Sequence, residues 1–206
     1  MALTYEFEKK YYEMYNLKWL SEKVDAGEKI SCVAFWQAGK EYENCYFSQW
    51  YTNVSFVING REYQNAEQYM MSEKALLFQD YENYDNIMKE SDPKKIKAFG
   101  RLVKNFDGEA WGKVAREVLF HGNMAKFQSD KELMEKLMQT GDAVLIEASP
   151  YDDIYGAGIA VEDLLDNDGF LKVHPQKWHK ADSDKIAENK LGFVLMGLRE
   201  FFKSLQ

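Results

Sequence analysis

Positive charge is what this chain of 206 residues is short of: 26 lysines and arginines face 34 aspartates and glutamates, a formal net charge of −8. No basic footprint for nucleic acid exists at the level of the whole chain, although a local basic groove is compatible with any net charge. Cysteine is scarce too. Cys32 and Cys45 form no Cys-x-x-Cys pair, and two residues make no disulfide framework, so both are expected as thiols in a reducing compartment. No run approaches the roughly 18 consecutive apolar residues that cross a membrane. Charges at Glu6, Glu8, Lys9 and Lys10 fall where a signal peptide carries its apolar stretch. The expected location is cytoplasmic, with no membrane partner. His121, His174 and His179 stand at no i, i+4 helical spacing and have no cysteine close in sequence, so no metal site is expected. The Gly-x-Ser-x-Gly elbow and the GxxxxGK[ST] phosphate loop are both missing. So are internal repeats, low-complexity tracts and a linker long enough to divide domains.

What is abundant is apolar and aromatic. Hydrophobic residues make up 46% and aromatic residues 15%, enough for a full core and either a large aromatic interior or an aromatic-lined pocket. Residues 4–24 have Phe7, Tyr11, Met14, Leu17, Leu20 and Val24 at spacings of three and four, which predicts one amphipathic helix capped by Thr4 and ended by Gly27. A strand is predicted over 30–36. A hairpin is predicted around Asn59-Gly60. From Asn65 the period becomes helical, with helices predicted over 65–78, 81–90, 94–104 and 109–127 and another opened by Asp130. A buried strand over 143–147, a loop over 149–158 and a final helix with the inner stripe Leu191, Leu195, Leu198, Phe202 and Leu205 complete the chain; 160–183 has no steady period. The fold class is α+β, mostly helical with a small β-sheet. Residues 1–28 are expected as a helical extension and 29–206 as the main domain.

The informative positions are polar residues on apolar stripes. By spacing, the inner face of the 65–78 helix is Glu67, Met70, Met71, Lys74, Leu77 and Phe78. Glu67 and Lys74 lie two turns apart, about 10 Å along the axis, so both can reach one cavity. A lysine in apolar surroundings loses basicity, and its neutral amine can attack a carbonyl carbon; a carboxylate nearby can stabilise positive charge at an anomeric carbon. The same spacing also fits a lysine that snorkels to the surface beside a glutamate that favours the helix N-terminus. On the 109–127 helix, Trp111, Ala115, Leu119, Gly122 and Lys126 form a second stripe that again ends on a lysine, unless the helix stops at Gly122. A third cluster, from Glu147 through Asp152, Asp153, Tyr155 and Gly156 to Gly158, follows the 143–147 strand, where loops tend to carry sites.

In order and spacing over about residues 31–203, a set of segments resembles the NADAR superfamily, which includes YbiA-like N-glycosidases and is named for an inferred link to NAD and ADP-ribose. The segments are Ser48-Gln49-Trp50, Ala66-Glu67-Gln68-Tyr69 with Lys74-Ala75, Gly100-Arg101, Trp111, Ala125-Lys126-Phe127, Glu147 to Asp152, Tyr155-Gly156-Ala157-Gly158, and Asn189 to Gly192 running on to Met196 and Arg199. The resemblance implies a compact, mostly helical α+β fold and cleavage of N-glycosidic bonds without a cofactor. The implied substrates are phosphoribosylaminopyrimidine intermediates of riboflavin synthesis or ADP-ribosylated guanine in nucleic acid. It implies catalytic parts for Glu67, Lys74 and Asp152. Substrate-binding parts fall on Trp50 and Tyr155 as stacking rings, on Lys126 and Arg101 as phosphate holders, and on Gly156 and Asn189. The chain departs from the family pattern at Gln49-Trp50 (commonly Asn-Phe), at Tyr155 (commonly Trp) and at Ala187 (commonly Gly). A nucleotide-binding module without turnover, and a partner-binding scaffold docking through the N-terminal helix, are the alternative readings.

Overall fold

Polar caps decide where the helices of this chain begin. Asn16, Asn65, Asp80, Asp92 and Asp107 each sit at a helix N-cap with a side-chain oxygen accepting a first-turn N–H. The computed structural model describes residues 2–206, with side chains from Phe7 onward. The elements in chain order are α1 (Ala2–Tyr12), α2 (Leu17–Asp25), β1 (Cys32–Phe35), β2 (Phe56–Ile58), β3 (Arg61–Tyr63), α3 (Ala66–Leu77), α4 (Tyr81–Lys89), α5 (Pro93–Arg101), α6 (Gly108–Gln128), α7 (Lys131–Gln139), β4 (Val144–Glu147), α8 (Val161–Leu164) and α9 (Lys190–Lys203). They fall into two compact units, Met1–Ser48 with Lys136–Gln206, and Gln49–Glu135. The class is α+β, and among the described residues the named strands form two separate two-stranded ladders.

In the first unit β1 and β4 pair in parallel, from Cys32 opposite Val144 to Phe35 opposite Glu147. β4 is buried from Val144 through Ile146, as the apolar run predicts for a strand covered on both faces. α9 is buried on nearly every side from Leu191 to Leu198. Two glycines allow that: a Cβ on Gly192 would strike the carbonyl of Leu145, and one on Gly197 the carbonyl of Tyr11. Arg199, 1% exposed, donates from Nη1 to Thr140 Oγ1 at 2.8 Å and to the Ala143 carbonyl at 3.0 Å, fixing the turn that enters β4.

In the second unit α3 packs against α4, α5 and α6. The β2–β3 hairpin turns through Asn59 and Gly60, both at positive φ, as the Asn-Gly pair predicts. Phe56, Tyr63, Ala66 and Tyr69 form its core. Gln68 spends its amide on the end of α4, donating from Nε2 to the carbonyls of Ile87 at 3.1 Å and Glu90 at 3.0 Å. α6 runs unbroken through Gly122, where a Cβ would meet the Tyr69 ring.

Three expectations change. The 4–24 segment is two helices, because Asn16 leaves the helical conformation and its Oδ1 accepts from Trp19 N at 3.0 Å; Thr4 lies inside α1 rather than before it. Leu77 is exposed, since α3 ends there and the buried side has moved to Ser72 and Ala75. Leu205 lies beyond α9 and is exposed. Among the described residues both cysteines are free and buried, and no helix is long and apolar enough to cross a membrane. Burial pushes the Cys32 thiol up to about 12.

Candidate functional site

The N-terminal half of α3 has no solvent side: every residue from Ala66 to Ser72 is buried. Glu67 is therefore carried inward, 4% exposed, with its backbone N–H donated to the Gln49 carbonyl at 3.0 Å. Lys74, two turns on, is half-buried. Its Nζ donates to the Gly100 carbonyl at 2.8 Å and sits 4.0 Å from the centre of the Phe106 ring. Burial lowers the pKa of this amine, Arg101 lowers it further and Glu67 acts the other way. Glu67 and Arg101 thus both act on the Lys74 amine, in opposite directions. Arg101 ends α5 with its side chain exposed.

Gln49 ties the start of α3 to α6. Its Oε1 accepts from Asn123 Nδ2 at 2.9 Å, and its Nε2 faces Met70 Sδ at 3.9 Å. Asn123 also donates to the Leu119 carbonyl at 2.8 Å, while its Oδ1 is buried with no hydrogen-bond partner among the described residues. Lys126, one turn further along α6, is fully buried, with its Nζ 5.6 Å from the Tyr51 ring centre and 5.3 Å from that of Phe127. Trp50 is half-buried and has the Lys97 ammonium 5.8 Å from its ring centre. So Trp50, Glu67, Lys74, Arg101 and Lys126 all belong to the second unit. Sequence reading gave no part to Asn123 and met Gln68 only as a member of the Ala66-Glu67-Gln68-Tyr69 segment. The signal for Asn123 was a poor helix former directly after a glycine inside a helical stripe.

Asp152, Tyr155, Gly156 and Asn189 belong to the first unit. Asp152 Oδ1 accepts from Ile154 N at 3.1 Å and Tyr155 N at 2.8 Å, and its carbonyl accepts from Gly158 N at 3.1 Å. This loop is laced by backbone bonds to the chain before α9: Glu188 N to the Asp153 carbonyl, Asn189 N to that of Gly156 and Leu191 N to that of Tyr155. A Cβ on Gly156 would meet the carbonyls of Glu147 at 2.9 Å and Asp152 at 3.0 Å, so only glycine fits. Asn189, in the left-handed region at φ 46, accepts from Glu147 N at 3.0 Å and donates to the Leu145 carbonyl at 2.9 Å. Its side-chain amide takes the place of a neighbouring strand along the free edge of β4. Past the C-terminal ends of the parallel pair, Trp36 lies 6.1 Å ring to ring from Tyr151, which is 79% exposed. No group of three or more potential metal ligands occurs among the described residues.

The chain belongs to the NADAR domain family, whose pattern matches residues 34–203. It is 39% identical over 158 residues to an N-glycosidase of Acanthamoeba polyphaga mimivirus, covering 75% of this chain and 85% of that protein. It is 24% identical over 140 residues to an N-glycosidase of Nostoc punctiforme, covering 68% of this chain and 74% of the other. A match of 33% identity over 100 residues to protein irg-1 of Caenorhabditis elegans covers 48% and 47% of the two chains. In fold it resembles the NMR structure of the Escherichia coli protein YbiA, with a TM-score of 0.63 and 21% identity, over 86% of this chain and 88% of the other.

Proposed function

We propose that this chain is an N-glycosidase that hydrolyses the bond between ribose and a nucleobase-like amine, acting on a phosphorylated ribosylaminopyrimidine of the kind met early in riboflavin synthesis. The activity class rests on two relatives named N-glycosidase. The observation that carries the chemistry is the buried Glu67 beside an amine of lowered basicity at Lys74. As the bond from C1 to nitrogen breaks, positive charge gathers on the sugar, and the Glu67 carboxylate stabilises it in a site poor in water. Water then adds its oxygen to C1 and supplies the proton that the departing nitrogen takes up, giving ribose 5-phosphate and a free amine. In the covalent variant of this route, the sugar ring opens to an imine between C1 and the departing nitrogen, the neutral Lys74 amine adds to C1 and expels that nitrogen as the free amine, and water hydrolyses the resulting Lys74 imine to release the sugar. Within the second unit, Lys126 and Arg101 are assigned to phosphate and the Trp50 ring to the base. Within the first unit, Tyr155 is kept as a stacking ring and Asp152 as a carboxylate, with Gly156 and Asn189 shaping the loop that carries them.

Net charge −8 speaks against a broad basic face for a long polyanion and leaves a local basic groove open, so the small substrate is tested first. Incubation of the purified chain with the ribosylaminopyrimidine phosphate should release ribose 5-phosphate. Cleavage of only an ADP-ribosylated guanine oligonucleotide would move the proposal to that substrate. Nucleotide binding without any product would make the chain a binding module. Borohydride trapping of an adduct on Lys74 separates the covalent route from direct water attack.

A further inference from the structure

The parallel pair of the first unit has a second end. Where β1 and β4 begin, opposite the 150–158 loop, a cleft of about 580 Å³ opens between α2 and α9, within the usual size of small-molecule sites. Its α2 side presents two rings, Tyr15 and Trp19, packed edge to face at 4.7 Å between centres. Its α9 side presents Arg199, which is 1% exposed. Nη1 of that guanidinium is bound to Thr140 and Ala143, and Nε lies 3.4 Å from Glu200 Oε1. Nη2 has no partner among the described residues, and a buried arginine holding an unspent amino group at a cleft wall is a ready anion donor. The Trp19 indole N–H likewise has no partner among the described residues.

Charge in the cleft points the same way. The two carboxylates in its wall are already paired, Glu28 with Lys23 at 2.7 Å and Asp142 with Lys203 at 3.3 Å. Lys29 at the rim has no carboxylate partner among the described residues, its ammonium lying 3.6 Å from the centre of the Phe170 ring. The Tyr15 hydroxyl has its pKa raised by burial and by Glu200, so it adds no negative charge to the cleft at physiological pH. In a chain of net charge −8, this cleft gathers donors and cations around two aromatic rings.

We propose that the cleft between α2 and α9 is a binding site for a small planar anion of the nucleoside monophosphate class, its ring against Trp19 and Tyr15 and its phosphate on Arg199. The wall formed by Tyr15 and Trp19 precedes residue 34, where the family match begins, while Arg199 lies inside the matched stretch, so the cleft joins a segment outside the shared domain to one within it. It lies apart from the Glu67 and Lys74 cluster in sequence and does not depend on the glycosidase reading.

Calorimetric titration of the full chain with AMP tests it, with adenosine and inorganic phosphate as separate arms. One AMP should bind per chain with a Kd below about 1 mM. Trp19→Ala should weaken it by about tenfold or more, the scale of a lost stacking platform, whereas Glu67→Gln should leave it unchanged. Hydrogen exchange at saturating AMP should slow at residues 15–31 and 139–144, a readout that holds even if Trp19→Ala compromises folding. Any of four results overturns the proposal: no AMP binding, binding lost in Glu67→Gln, protection confined to α3 and α6, or inorganic phosphate binding as tightly as AMP.

Discussion

At the scale of single residues, the lysine on an apolar stripe is the feature that both pattern and structure single out. Lys74→Met and Glu67→Gln are each expected to lower kcat by about 100-fold or more, with stability held within about 1 kcal/mol. Steady-state kinetics beside thermal melts check both, and either variant keeping most of its activity removes that residue from the chemistry. The pH dependence has a definite sign. Lys74 in the folded chain titrates below its ordinary 10.5, so in the window beneath 10.5 the unfolded chain binds the proton more tightly. Stability contributed by this site therefore rises with pH across that window, and a Lys74→Met variant loses the rise. If the covalent route operates, kcat rises with pH through the same depressed pKa, and a flat profile there excludes it. Lys74 and Lys126 could be found from sequence because a charge breaks an apolar period. Asn123 left only the faint trace of a poor helix former after Gly122, and Arg199 entered only as the end of a family-like segment, because an amide or guanidinium paired with backbone need not break an apolar period.

Elements are governed by their ends. Asp80, 4% exposed, caps α4 by accepting from Asn83 N at 3.2 Å and also accepts from Asn83 Nδ2 at 2.7 Å and Lys104 N at 2.8 Å. The Asn83 side-chain bond, then the Lys104 N–H, hold its carboxyl below the usual range. Asp80→Ala should cost about 1–2 kcal/mol at neutral pH. Because a depressed carboxyl stabilises the fold above its unfolded pKa, the difference between wild type and variant should shrink as acid carries pH down through the folded value. Denaturant melts at pH 7 and pH 3 measure this, and a constant gap between them would contradict the role assigned to the carboxylate. Helix positions were legible for the same reason: Asn65, Asp92 and Asp130 are caps that announce themselves. The break at Asn16 was not, since Phe7, Tyr11, Leu17 and Leu20 keep a helical spacing across a point where the backbone leaves the helix. The 160–183 stretch was opaque because isolated bridges, Ser31 with Phe170 and Leu165 with Leu171, and short turns hold it rather than a repeating face.

For the whole molecule, the order of the chain matters more than any single contact. The second unit is one continuous stretch, Gln49–Glu135, while the first is built from both ends of the chain. Local helical contacts form before distant strand pairs, because closing a long loop must precede any gain from the pair. In pulsed hydrogen exchange during refolding, amides of α3 and α6 should gain protection ahead of those in β1 and β4; simultaneous protection would show that the two units fold as one. The discontinuity has a further cost that only a growing chain meets. β1 leaves the ribosome roughly a hundred residues ahead of β4, which at about 5–20 residues per second is a wait of about 5–20 seconds. For that interval Cys-Val-Ala-Phe is an apolar strand without its partner, open to the wrong neighbour in a crowded cell. The rate of translation across residues 36–143 is thus part of what this sequence needs in order to fold.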